Sequence, residues 1–159
     1  MIRHLDKRFR YSLKVRHSSW FSDNVYHFLK DNNISLVWSV RDELESPSII
    51  TSDQVYIRFI GDRSISEMDF GKIVKNRRNE MLEYVKQVRD LQNESSSIRD
   101  VLIAFNNHFA GFGPQSVNDF LKLMNRSEID WKTELERYEN SSGQFNGRHQ
   151  SSLSDFNPS

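Results

Sequence analysis

Apolar and polar residues recur along this chain with two periods. In "YSLKVRH" (11–17), Leu13 and Val15 fall on one face and Lys14 and Arg16 on the other, the period-two pattern of a strand. "ISLVWSV" (34–40) and "DVLIAFNN" (100–107) are nearly continuous apolar runs, and "QVYIRFIG" (54–61) is rich in aromatic and β-branched residues. Such runs suit parallel strands covered by helices. Between them the period lengthens to that of a helix. "SDNVYHFLKDNN" (22–33) opens with Ser22 as the expected N-cap and aligns Val25, Phe28 and Leu29. "NRRNEMLEYVKQVRDLQ" (76–92) aligns Met81, Tyr84, Val85 and Val88, and "SVNDFLKLM" (116–124) aligns Val117, Phe120, Leu121 and Met124. "RDELESPSIIT" reads as a loop. "DRSISEMDFGKIVK" (62–75) fits neither period, because Gly71 interrupts any helix there. The order strand, helix, strand, strand, helix, strand, helix predicts an α/β fold with a parallel sheet.

"EIDWKTELERY" (128–138) predicts one more helix. From Glu139 the chain is rich in Ser, Asn and Gly and poor in aliphatics, so it buries too little surface to offset its ordering entropy. The expected organisation is one folded domain over 1–138 and a disordered tail over 139–159. Composition narrows the function classes. Lys and Arg total 22, as do Asp and Glu, so the formal net charge is zero. That argues against nucleic acid as the partner. The absence of cysteine excludes a disulfide scaffold, a cysteine-ligated metal and a cysteine nucleophile. No apolar run has the length of a membrane span, and "MIRHLDKRFRYS" lacks the apolar core of a signal peptide. The expectation is a cytoplasmic protein with no membrane partner.

Three motifs occur in order: "RHSSWF" (16–21), "YIRFIGDRSI" (56–65) and "FNNHFAGFGP" (105–114). Together they resemble the YecE-like family, domain of unknown function 72. The resemblance covers roughly residues 9–125 and implies a (β/α)8 barrel of the TIM type. Against a typical barrel of about 250 residues, this chain supplies about the C-terminal half, four parallel strands with their helices. The expectation is a truncated, split or misassigned gene product. Family members carry Glu where this chain has Lys14, His where it has Ile60 and Pro where it has Ser18. No acid/base role of that carboxylate transfers to this chain.

Barrel enzymes hold their sites at the C-terminal ends of the strands. With Ile57 and Phe59 facing helices, Arg58 and Tyr56 point to the other side, and Arg16 does the same opposite Leu13 and Val15. Inward guanidinium groups demand anions. A carboxylate on a neighbouring strand or a phosphate or carboxylate ligand meets that demand. Arg16, Arg58 and Arg63 are the candidate anion holders. Asn106 and Asn107 are candidates to orient a hydroxylated or carbonyl ligand, or they satisfy loop backbone. Gly111 and Gly113 permit close backbone approach before the helix that starts near Pro114, a phosphate-type position, or simply form a tight turn. His17 and His108 are the acid/base candidates. A metal would need Asp42, Asp53 or Asp62 beside them, and no ligand spacing is present, so no metal site is assigned. The "KNRR" cluster (75–78) reads as a solvated helix face. The expected partner is a small anionic or sugar-like ligand. The alternative is a non-catalytic half-barrel that needs the missing N-terminal half or self-association to close its sheet edges. No reaction and no cofactor follow from the sequence.

Overall fold

A computed structural model describes residues 5–6, 8–41, 44–61, 63–94 and 97–142. The chain divides into two units after Ser127. In the first, strands β1 (Tyr11–Leu13), β2 (Ile34–Val40), β3 (Gln54–Phe59) and β4 (Asp100–Phe105) form one sheet in the order β1-β2-β3-β4, all parallel. Helices α1 (Asp23–Asp31), α2 (Arg78–Glu94), α3 (Asn107–Ala110) and α4 (Gly113–Leu123) connect or follow the strands.

Most of the apolar packing uses one face of the sheet, although Val37, on the other face beside Tyr56, is buried too. Register pairs Trp38 with Ile57 and Val40 with Phe59, then Ile57 with Ile103 and Phe59 with Phe105. These residues meet Met81, Tyr84, Val85 and Val88 of α2 and Phe120 of α4. The even-numbered positions of β2 continue the same face toward its start, where Ile34 and Leu36 pack with Leu29 of α1 and Val15. Phe59 is fully buried, stacked on Phe105 at 4.4 Å and edge-on to Tyr84 at 5.2 Å. Truncating a ring so packed costs about 3–5 kcal/mol. The opposite face carries Ser39, Tyr56, Arg58, Leu102 and Ala104, and Leu102 is 49% exposed.

Several elements differ from their predicted bounds. β1 pairs only through Leu13, although alternation continues to Val15, which stays buried. Farther along β2, Ser46 takes up the edge that β1 leaves. The Ser39 N–H donates to Ser46 Oγ at 2.9 Å, and the Ser46 N–H donates to the Ser39 carbonyl at 3.2 Å. The loop after β2 thus substitutes for a helix and a strand at once. Thr51 Oγ1 accepts from Leu36 N–H at 2.7 Å, and Ile49 O accepts from the Trp38 indole at 3.1 Å. Ser22 stands at the N-cap of α1 but makes no side-chain cap bond, and Phe28 faces solvent instead of sharing the buried face with Leu29. α3 was not expected. α4 begins at Gly113, with Pro114 in its first turn, where a missing N–H costs nothing. The ambiguous segment holds a 3-10 turn at Glu67–Asp69.

In the second unit, α5 (Trp131–Ser142) runs past the expected helix end at Tyr138. Asp130 caps it, accepting from Thr133 Oγ1 at 2.7 Å and from Lys132 N–H at 3.1 Å, and Glu134 pairs with Arg137. The hydrogen bonds from Thr133 hold the Asp130 carboxyl below the usual carboxylate range. The rest of the expected tail, 143–159, lies outside the described residues. No helix among the described residues is long and apolar enough to cross a membrane.

Candidate functional site

The polar face of the sheet ends in an open cavity of about 900 Å³ at the C-terminal ends of the strands. Each strand delivers to it. Lys14 and Arg16 follow β1, Arg41 follows β2, Arg58 lies in β3 with Arg63 just beyond, and Asn106 follows β4. Strand alternation explains Arg58: Ile57 and Phe59 are committed to the helices, so the residue between them points the other way. The wall is completed by Ile60, Gly61, Ile65, Ser66, Glu67 and His108.

The electrostatics are one-sided. Among the described residues, Lys14, Arg16, Arg41, Arg58 and Arg63 line the cavity with one carboxylate, Glu67. Among the described residues no ion pair holds Arg16, Arg58 or Arg63. Burial holds the Lys14 ammonium below the usual lysine range, and repulsion from Arg58, Arg41 and Arg16 pushes it the same way. These four cations therefore act as one cluster. Asp42 and Asp62 lie outside the described residues.

Backbone packing fixes the rim. Gly61 has φ +76°, and a Cβ there would meet the His108 carbonyl oxygen at 2.2 Å. Only glycine allows the turn after β3 to approach α3 this closely. His108 itself lies edge-on to Phe70 at 4.9 Å, and its Nδ1 is buried without a hydrogen-bond partner among the described residues.

Five of the nine residues singled out in the sequence, Arg16, Arg58, Arg63, Asn106 and His108, line this cavity; the other four do not. His17 is a local cap: its Nδ1 accepts from Ser19 N–H at 3.2 Å, starting the 3-10 turn Ser18–Trp20. It is not among the residues that line the cavity, whereas His108 is. Asn107 Oδ1 accepts from Gly113 N–H at 2.8 Å and so ties down the start of α4. Asn106 does the same for α3, accepting from His108 N–H at 3.0 Å, while still lining the cavity. The paired amides thus cap two successive helices. Gly111, at φ +111°, lets Lys72–Val74 pack against it, with the Val74 N–H donating to the Ala110 carbonyl at 2.7 Å. Gly113 is buried under the Phe105 carbonyl. Both glycines serve the turn. Asp53, weighed above as a metal carboxylate, lies before β3 at the opposite end of the sheet and joins neither histidine. Arg77 of the "KNRR" cluster is structural as well. It donates to the Phe109 carbonyl at 3.1 Å, pairs with Glu80 and lies over the Phe109 ring.

A parallel sheet with consecutive strands adjacent, helices on one face and a cation-lined cavity at the C-terminal strand ends defines an α/β protein with a ligand-type site. The chain belongs to the family described as "Protein of unknown function DUF72", whose sequence model matches residues 1–139, consistent with the YecE-like motifs. Solved structures share the fold. A DUF72 family protein from Thermotoga maritima is 22% identical with a TM-score of 0.54, over 74% of this chain and 45% of that one. One from Enterococcus faecalis is 23% identical with a TM-score of 0.60, over 79% of this chain and 53% of that one. The chain spans about half the length of these relatives. No curated protein matches it.

Proposed function

We propose that the chain is part of a (β/α)8-type barrel whose C-terminal strand ends bind a small anionic or polyhydroxylated metabolite. Consecutive parallel strands with α1, α2 and α4 packed on one face support the barrel reading, since doubly wound sheets reverse strand order and carry helices on both faces. The observation that carries the ligand reading is the group of Arg16, Arg58 and Arg63 around one cavity without ion-pair partners among the described residues. Inward charges of one sign are tolerated when an anion completes them. Arg58 and Arg16 supply planar donor forks to phosphate or carboxylate oxygens. The free Oδ1 lone pair and amide N–H groups of Asn106 serve hydroxyls. His108 is the lining group whose ordinary pKa lies nearest neutrality, and it is the acid/base candidate. The test is a thermal-shift titration of the 159-residue chain with inorganic phosphate. Wild type should gain stability with ligand by mass action, and Arg58→Ala should lose that response. An identical response in both proteins would make Arg58 a bystander and remove the anion site.

A second reading concerns assembly. Leu102 is 49% exposed on the uncovered sheet face, β1 and β4 are sheet edges, and the chain spans about half of its relatives. These features support a half-barrel closed by a further polypeptide or by a second copy. Sedimentation of the chain alone should show self-association. A monodisperse monomer at tens of micromolar would argue against closure by a second copy.

A further inference from the structure

We propose that Lys14 is a nucleophilic amine that forms an imine with a small carbonyl compound carrying a carboxylate or phosphate group, which Arg16 and Arg58 hold in the same cavity. The inference rests on the anion-site reading above and adds to it a covalent step and the class of ligand.

Placement comes first. Leu13 and Val15 pack with Leu29 and Leu36 on the helix-covered side. Alternation turns Lys14 and Arg16 the other way, and both line the cavity at the C-terminal ends of the strands. Lys14 is half-buried there, and no ion pair holds it among the described residues. A volume of about 900 Å³ admits a small ligand beside it.

Chemistry comes second. Among the lining cations Lys14 alone can become a nucleophile. A guanidinium keeps its proton. An ammonium gives its proton up, more readily when it is desolvated or set beside other cations. Both conditions hold for Lys14: burial lowers its pKa first, and Arg58, Arg41 and Arg16 lower it further. A bound anion offsets the arginine contribution but leaves the larger one, burial, in place. Arg16 and Arg58 supply the forks that hold the anionic substituent while its carbonyl faces the amine.

The step balances without an oxidant or reductant. The amine lone pair attacks the carbonyl carbon, and the C=O π pair moves to oxygen. A proton passes from nitrogen to that oxygen, giving a carbinolamine. The hydroxyl then takes a proton from a lining acid and leaves as water while the nitrogen lone pair forms the C=N bond. The remaining N–H proton returns to the conjugate base of that acid. His108 and Glu67 line the cavity and are the groups that relay these protons. The Nδ1 of His108 has no hydrogen-bond partner among the described residues, so that nitrogen is not committed to the fold.

The experiment is reductive trapping on the full chain. Cyanoborohydride converts an imine to a stable secondary amine, and peptide mass mapping locates it. The carbonyl compounds are pyruvate and glycolaldehyde phosphate, with acetone and glycolaldehyde as their uncharged counterparts. The other lysines of the chain are internal controls. Lys14 should be labelled by the charged compounds at least about tenfold faster than those lysines, and saturating inorganic phosphate should slow Lys14 alone. The faster of the two charged compounds identifies the anionic group, and either supports the proposal. The double variant Arg16→Gln, Arg58→Gln should lower labelling of Lys14 to the rate of the uncharged counterparts. If phosphate stabilises the chain but Lys14 reacts no faster than the other lysines, the imine proposal fails and the anion site stands. If phosphate neither stabilises the chain nor protects Lys14, and charge on the carbonyl compound makes no difference, the anion-site reading fails with it. A charge preference at Lys14 that survives in the double variant also overturns the proposal.

Discussion

The two ends of the sheet hold similar charged side chains and use them in opposite ways. At the N-terminal end, Arg10, Arg99, Asp53 and Asp100 balance one another. Arg10 pairs with Asp100 and reaches Asp53 at 3.8 Å, and Arg99 pairs with Asp53 at 3.5 Å. Asn33, held at φ +50°, bonds Asp53 twice, donating to its carboxylate at 3.2 Å and accepting from its N–H at 3.0 Å. Every charge there has a protein partner. At the C-terminal end the cations crowd one cavity with a single lining carboxylate among the described residues. The balanced end is closed by protein partners, and the anion of the proposed function is what would complete the charge at the other end. Residue type does not separate the two; partnership does.

The contrast is tested most directly by truncation at each end. Asp53→Ala removes the acceptor shared by Arg10, Arg99 and Asn33. Because Arg10 and Arg99 are 40% and 72% exposed, solvent screening limits the expected loss to about 1–2 kcal/mol. Arg58→Ala at the other end should change the stability of the unliganded protein by about 0.5 kcal/mol or less, since it breaks no ion pair and relieves repulsion on Lys14. Urea denaturation of both variants without ligand checks this. Equal losses at both ends would mean that Arg58 is tied into the fold, and the distinction between the ends would collapse.

How far the sequence anticipates this division depends on which residues carry it. The inward direction of Arg58 was legible, because Ile57 and Phe59 flank it and burial enforces the pleat. The buried face of α2 was legible for the same reason: Met81, Tyr84, Val85 and Val88 recur at helical spacing over about two turns, and all four are buried. β1 was overextended because alternation records burial, not pairing. Val15 is buried without being in the sheet. The roles of Asn106 and Asn107 were hidden because α3 has four residues, too few to show a period. Without that helix in view, two amides after a strand look like ligand donors. His17 likewise sits in short local structure that a sequence does not show, a three-residue turn that it caps. Gly61 went unremarked although its signal was present, a glycine directly after a strand and before Asp62. What it approaches, the carbonyl of His108, is nearly fifty positions away in the chain, and no local pattern reveals it.

The smallest expected effect is the most specific to the unbalanced end, and it concerns Lys14. Its ammonium titrates below the usual 10.5, through burial first and then through Arg58, Arg41 and Arg16. The unfolded chain therefore binds that proton more tightly than the folded one. Between the lowered folded value and 10.5 the unfolded state carries more protons, so this group makes stability rise with pH across that window. Below the window both states are protonated, and the fold bears the full cost of the buried, repelled charge. Lys14→Met removes the charge and keeps most of the chain volume, so the unliganded variant should be more stable at neutral pH. Its stability should climb less steeply than that of wild type in the alkaline window. Saturating phosphate should flatten the wild-type curve in the same direction, because an anion beside Lys14 restores its affinity for the proton. Urea midpoints measured across alkaline pH, with and without phosphate, check both statements. Parallel curves for wild type and Lys14→Met would mean that the cations at the β1 and β3 ends do not share a field, and each would then need its own counter-ion.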